Sequence, residues 1–128
     1  MAFDEQTLDL LVAAHEVEVE TTRPDGRQTR TVIWVMVDDG DVFVRSVRGE
    51  RGHWFQAALD APDHVALVVD GRRVPVAVQL ASDHDSIARC TRALKAKYRP
   101  GASLSSMIQP SNLASTLRLL PRPAPDKE

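Results

Sequence analysis

A chain of 128 residues with 16 Lys plus Arg against 18 Asp plus Glu has a net charge of −2, and its length fits one domain that buries about two-thirds of its unfolded surface. That balance, with aromatic residues at only 5%, argues against a nucleic-acid partner or an anionic membrane surface. The longest apolar runs, residues 32–37 and 65–69, fall far short of the roughly 18 residues a membrane-spanning helix needs.

The chain opens without a basic segment followed by an apolar core, so no secretory leader is expected. Asp4 is placed to cap a helix in which Leu8, Leu11 and Val12 recur at helical spacing, ending near His15. From Glu16 the period changes to two. Glu16, Glu18 and Glu20 alternate with Val17 and Val19, the pattern of a strand with one wet face. Pro24, Asp25 and Gly26 supply a turn, and a second strand is predicted over residues 28–37, antiparallel to the first. Its part from 32 to 37 is apolar on both faces, so it is expected to be covered on both sides, as a central barrel strand or an interface strand would be. Asp38-Asp39-Gly40-Asp41 reads as a turn before a cation loop, given the preference of Asp and Gly for turns. Residues 42–47 make the third strand.

Trp54, Phe55, Ala57, Ala58 and Leu59 predict a short helix closed by Pro62. A fourth strand over 65–69 and a fifth over 72–80 flank Asp70-Gly71, a strong hairpin signal. Pro75 points to an edge or a bulge in the fifth. Ser82 with Asp85 resembles a capping box. Ile87, Cys90, Thr91, Leu94 and Tyr98 then mark one helix face, broken by Pro100 and Gly101. Cys90 is the sole cysteine and has no internal partner, which fits a reducing, cytoplasmic setting. A helical turn within 110–115, a last strand over 116–120 and a disordered tail over 121–128 complete the chain. Six short strands with hairpin links favour a mainly β (α+β) antiparallel barrel over a doubly wound parallel sheet.

Familiar catalytic constellations are missing. His15, His53, His64 and His84 are scattered without a ligand pair, which argues against zinc, and no G-x-S-x-G, P-loop or G-x-G-x-x-G motif occurs. The chemistry gathers instead in VRSVRGERGHW, residues 44–54. Period-two alternation puts Phe43, Arg45 and Val47 on one face of the third strand and Val42, Val44 and Ser46 on the other. Arg48 and Arg51 follow, with Gly49 and Gly52 freeing the backbone to turn its N–H groups toward an anion. A helix beginning near His53 or Trp54 adds the positive end of its dipole. Guanidinium groups match phosphate oxygens bidentately. From the residues alone, a phosphate site and a solvated loop are both open.

The run Arg30-Thr31-Val32-Ile33-Trp34, the strand Val42-Phe43-Val44-Arg45-Ser46, then Gly49-Glu50-Arg51-Gly52 and Trp54 resembles the flavin-binding half of the split-barrel superfamily. That superfamily includes the pyridoxamine 5′-phosphate oxidases and the deazaflavin-dependent reductases, and the chain is most similar to a small, functionally uncharacterised branch of it. The likeness runs loosely from the first helix to Leu120 and specifically over residues 30–54. It implies a six-stranded antiparallel split β-barrel with peripheral helices, and FMN or a deazaflavin as cofactor. Arg30 would open the second strand toward the cofactor, Thr31, Val32, Ile33 and Trp34 would follow along it, and Ser46 and Arg51 would hold phosphate. Arg45, Arg48, Gly49 and Trp54 complete the candidate set. Arg45 and Arg48 stand where oxidases of the superfamily often carry neutral or aromatic residues. Glu50 departs further, because a carboxylate beside a phosphate is repulsive.

Trp34 admits a packing reading beside that of a stacking platform, and Trp54 reads as the anchor of its helix. Tyr98 and Met107 read as packing, and Arg72 and Arg73 as a solvated hairpin tip. The expected function is an oxidoreductase passing hydride to a small organic acceptor, the cofactor supplying the chemistry. A non-catalytic ligand-binding barrel is the alternative, and a nucleic-acid-binding barrel the weakest reading. A homodimer is also expected, since Trp34 and Met36 share a face of an apolar strand and both residue types are enriched at interfaces. The resemblance implies a cofactor cleft at that interface, completed by Arg72, Arg73 or residues 105–109 of the second copy.

Overall fold

In the computed structural model, residues 2–122 are described; of the expected tail, residues 123–128 lie outside that range. Helix α1 (Glu5–Ala13) leads into strands β1 (Val17–Thr22), β2 (Gln28–Ile33), β3 (Met36–Asp38) and β4 (Asp41–Arg45). A single 3-10 turn (Gly49–Arg51) precedes α2 (His53–Asp60), β5 (Val65–Val69) and β6 (Arg72–Leu80). Helices α3 (His84–Lys97), α4 (Ala102–Ile108) and α5 (Pro110–Leu113) then lead to β7 (Thr116–Pro121).

All seven strands form one antiparallel sheet in the order β2-β1-β5-β6-β7-β4-β3. Its two edge strands, β2 and β3, are consecutive in the chain, joined by Trp34 and Val35 alone. Three Cα steps reach at most about 11 Å, so the sheet must curl until its edges approach. The result is a split barrel.

The predicted strand over residues 28–37 is therefore two strands, which makes seven where six were expected. Its interruption has a definite cause. Val35 N–H donates to Tyr98 Oη at 3.2 Å and Val35 C=O accepts from Lys97 Nζ at 2.9 Å. Side chains of α3 thus satisfy backbone groups that a ladder would otherwise use. The apolar run is also not covered throughout: Val32 is 56% exposed, whereas Val35 and Met36 are fully buried.

Local chemistry explains the other elements. Asp4 accepts from Thr7 N–H at 2.7 Å and caps α1. The turns at Asp39-Gly40 and Asp70-Gly71 each place two successive residues at positive φ, the geometry of type I′ hairpins. The cap of α3 is Asp83, accepting from Ser86 N–H at 2.9 Å, one residue beyond the expected Ser82. Pro75 lies in a central strand, not at an edge. Its carbonyl accepts from Arg122 N–H at 3.1 Å where β7 ends, so the side that lacks an N–H has no β7 residue beyond Pro121 to serve. That last strand reaches Pro121.

Two apolar clusters result. Val17, Val19, Ile33, Val35, Val42, Val44, Leu67, Val76 and Leu117 fill the barrel, with Phe55 of α2 and Leu11 of α1 as plugs. On the outer face of β3 and β4, Met36 and Phe43 meet Cys90, Leu94 and Tyr98 of α3 and Leu104 and Met107 of α4. Met36 is thus core and has no face left for an interface.

Candidate functional site

A cavity of about 420 Å³ opens beside the end of β4, within the range of small-molecule sites. Three segments make most of its wall: Thr31, Val32, Ile33 and Trp34; Arg45, Ser46, Val47 and Arg48; and Gly52, His53 and Trp54. Glu16, Ser103 and Met107 complete it.

As an edge strand, β2 pairs only with β1, so alternate residues turn backbone N–H and C=O groups outward. The loop after β4 is fixed from below by β7 and α5. Ser46 N–H donates to Ser115 Oγ at 3.1 Å, and Asn112 Nδ2 donates to Val47 O at 2.8 Å. Ser46 Oγ accepts from Arg48 N–H at 3.2 Å, tightening the turn. Glycine is required at two points. Gly49 has φ of 63°, and a Cβ there would lie 2.7 Å from Asn112 Oδ1. A Cβ on Gly52 would collide with Ser46 Oγ. Because Gly52 is the N-cap of α2 and offers no side chain, the first N–H groups of that helix are uncapped at the cavity wall.

Trp34 also lines the cavity. Its indole is half-buried and stacks on Tyr98 with centroids 3.8 Å apart and planes within 4°. Tyr98 is anchored by donating to His15 O at 2.8 Å, and burial pushes its hydroxyl up to about 12. Trp34 thus packs on Tyr98, as its packing reading held, and also lines the cavity.

Arg45 is buried, with its guanidinium turned into the cluster beneath α3 and α4. Of the sequence candidates, Arg30, Gly49 and Arg51 are the ones that do not line the cavity. Arg30 pairs with the buried Glu20 at 3.2 Å and reaches Glu18 at 3.9 Å. Gly49 packs against α5, and Arg51 is exposed in the 3-10 turn. Glu50 is not part of the wall either; its carbonyl accepts from Gln56 Nε2 at 3.1 Å. Arg73, expected as a solvated tip, pairs with Glu20 at 2.9 Å.

Sequence reasoning missed Glu16, Val47, His53 and Ser103 as wall residues, and it read Met107 as packing or as part of the segment 105–109 lent by a second copy. His53 had a signal, as the first residue of a helix after a glycine-rich turn. Ser103 and Met107 had none, since α4 was not foreseen. Asp38 and Asp41 are engaged by Arg89 at 2.7 and 2.9 Å, and Arg118 reaches Asp41 at 2.7 Å. Among the described residues no group of side chains suits a metal ion, and no helix is long and apolar enough to cross a membrane.

Over residues 7–119 the sequence matches the family described as "Uncharacterized protein conserved in bacteria (DUF2255)". The chain belongs to that family. No curated protein matches this DUF2255 sequence. Among solved structures it is similar to a putative pyridoxamine 5′-phosphate oxidase from Listeria innocua, at 13% identity and a TM-score of 0.68 over 93% of each chain. It is similar to an F420 reductase at 17% identity and a TM-score of 0.64, covering 96% of this chain and 97% of that one. HutZ, described as the heme storage protein of Vibrio cholerae, shares 10% identity and a TM-score of 0.68, with 97% and 93% covered. At these identities the likeness establishes the split-barrel fold of the DUF2255 chain.

Proposed function

We propose that this cavity binds a flavin-type cofactor, FMN or a deazaflavin, and that the protein uses it to pass hydride to a small organic acceptor. The observation behind this reading is the mixed lining of the cavity. Its wall holds an indole backed by a stacked phenol, suited to a planar ring, together with Arg48, Ser46 and the uncapped start of α2, suited to a phosphate. Arg48 makes no ion pair among the described residues, so its guanidinium is available. The donor set therefore fits the cofactor. Structures of the same fold described as an F420 reductase and a putative pyridoxamine 5′-phosphate oxidase support the reading.

When bound, such a ring supplies the redox chemistry itself. Arg48, Ser46 and the N–H groups of His53 and Trp54 would hold the phosphate, while Thr31, Val32 and Trp34 would position the ring and exclude water. His53 and Glu16 are both exposed in the wall. A second copy supplies the missing wall in this reading. Val32 and Val47 line the cavity yet are 56% and 52% exposed, and two bare valines beside an open strand edge favour cover by a partner.

Titration of the protein with FMN and with a deazaflavin tests the reading. Trp34 and Trp54 are the only tryptophans in the chain and both line the cavity, so their emission should be quenched on binding. Absence of binding to either compound would refute it. Binding without reduction by a nicotinamide nucleotide would leave the carrier reading in its place.

A further inference from the structure

The charge beneath the cavity has no counter-ion among the described residues. Arg45 is 1% exposed. Its Nε donates to Thr116 Oγ1 at 2.9 Å, its Nη1 to Thr91 Oγ1 at 3.0 Å and Met107 O at 3.2 Å, and its Nη2 to Ile87 O at 3.2 Å. Every one of these acceptors is neutral, and no carboxylate pairs with Arg45 among the described residues. The neighbouring Cys90 thiol does not help, because burial pushes it up to about 11 and leaves it uncharged at neutral pH. What compensation exists is dipolar, chiefly the carbonyl of Met107 in the last turn of α4.

Burying an unpaired ion is unfavourable, and apolar side chains of similar volume commonly replace buried charges without loss of stability. A packed methionine would therefore serve this cluster at least as well. The charge makes sense only if something outside the cluster uses it. Arg45 also lines the cavity, where Arg48 and the start of α2 add further positive potential.

We propose that Arg45 is a fixed internal counter-charge that restricts the cavity to ligands carrying a phosphate-like anionic group. It acts mainly through space, since four of its five N–H groups are committed to α3, α4 and β7. Unlike a lysine, it stays protonated at every physiological pH. This deepens the cofactor reading, which it takes as the identity of the ligand site, by naming the charge the ligand must bear and the buried residue that demands it.

Sulfate is the probe, because its charge is constant across the range, at fixed ionic strength and with tryptophan emission as the signal. The wild type should bind sulfate; Glu16 and His53 are the cavity's other ionisable side chains besides its arginines, and they are common to every variant. Arg45→Met and Arg45→Gln should bind at least about tenfold more weakly with circular dichroism unchanged. If one variant fails to fold, the other decides. Arg45→Lys should bind at pH 6 and lose sulfate by pH 10 more steeply than the wild type, because a buried lysine has a depressed pKa. A residue that merely holds helices together would produce no such slope. Wild type that ignores sulfate, a folded neutral variant with unchanged affinity, or an Arg45→Lys profile parallel to the wild type each overturns the proposal. Sulfate binding that depends on Arg45 without binding of FMN or deazaflavin sinks the cofactor and keeps the counter-charge. Cofactor binding indifferent to Arg45→Met does the reverse.

Discussion

The two edges of the sheet have met opposite fates. At the β3 edge, Met36 is fully buried under α3, and Arg89 bridges Asp38 and Asp41 across the β3–β4 turn. At the β2 edge, Thr31 and Val32 stand exposed beside a cavity. An uncovered edge strand invites pairing with another chain, and native proteins normally blunt it. Here one edge is blunted with a helix and an ion-pair cluster, so the bareness of the other is selective. Packing holds the covered edge, and under the proposed function the ligand sits at the open one.

Damage to the covered edge should show the largest effect. Leu94 is fully buried in the cluster under α3, and Leu94→Ala should cost about 2–5 kcal/mol in chemical denaturation. A loss below 1 kcal/mol, roughly the cost of a tolerated swap, would mean that α3 is not the cover described here.

Tyr98→Phe comes next and bears on both edges, because Tyr98 ties the break between β2 and β3 to α3. Its loss leaves the buried Val35 N–H without the Tyr98 acceptor and should cost about 1–3 kcal/mol. It also has a pH signature. Burial raises the Tyr98 hydroxyl from 10.0 to about 12, so the fold favours its neutral form. That contribution is complete below pH 10 and is lost as pH rises toward 12. Cys90, raised from 9.0 to about 11 by burial, adds a similar loss from pH 9 upward. Stability of the wild type should fall through this alkaline window, and Tyr98→Phe should flatten its upper part. An unchanged slope would show that Tyr98 is not buried as described.

The same contrast explains what the sequence revealed. Hairpins were legible because Asp39-Gly40 and Asp70-Gly71 are among the few pairs that accept two positive φ values. Strand alternation placed Phe43 and Arg45 together on the outer face of β4, as found. The resemblance over residues 30–54 found most of the cavity wall. What stayed hidden depends on distant partners. The break at Trp34 and Val35 is enforced by Tyr98 and Lys97, more than 60 residues away. Helix α4, with the sequence ASLSSMI, is short and serine-rich, with too few turns to show a period. Arg30 read as a cofactor contact and Arg73 as a solvated tip because nothing local announces that Glu20 is buried between them.

On the open edge the effects should appear in binding and not in folding. Arg48 is exposed and unpaired among the described residues, so Arg48→Ala should leave the unfolding midpoint within about 0.5 kcal/mol of wild type. Cofactor affinity should drop by about one to two decades, the worth of a charge-assisted phosphate contact. Arg51→Ala serves as the control, since Arg51 does not line the cavity. Equal losses in the two variants would point to diffuse electrostatics in place of a contact.

The smallest change in stability, and the sharpest test of the open edge, belongs to Val32. Trp34 is a poor probe of association, because it stacks on Tyr98 and its replacement would disturb the junction of β2 and β3. Val32 has no such duty. It is 56% exposed on an edge strand, so Val32→Glu should alter monomer stability by no more than about 0.5 kcal/mol. If a second copy covers this edge, the same carboxylate would be desolvated against an apolar surface, an unfavourable burial without a partner. Light scattering at micromolar concentration should then report a dimer for the wild type and a 14.1 kDa monomer for the variant. Cofactor affinity should fall with it, because the ligand loses its second wall as well as the Val32 contact. A monomeric wild type that still binds cofactor would show that one chain suffices to build the site. The exposed valines would then face the ligand's acceptor and not a partner.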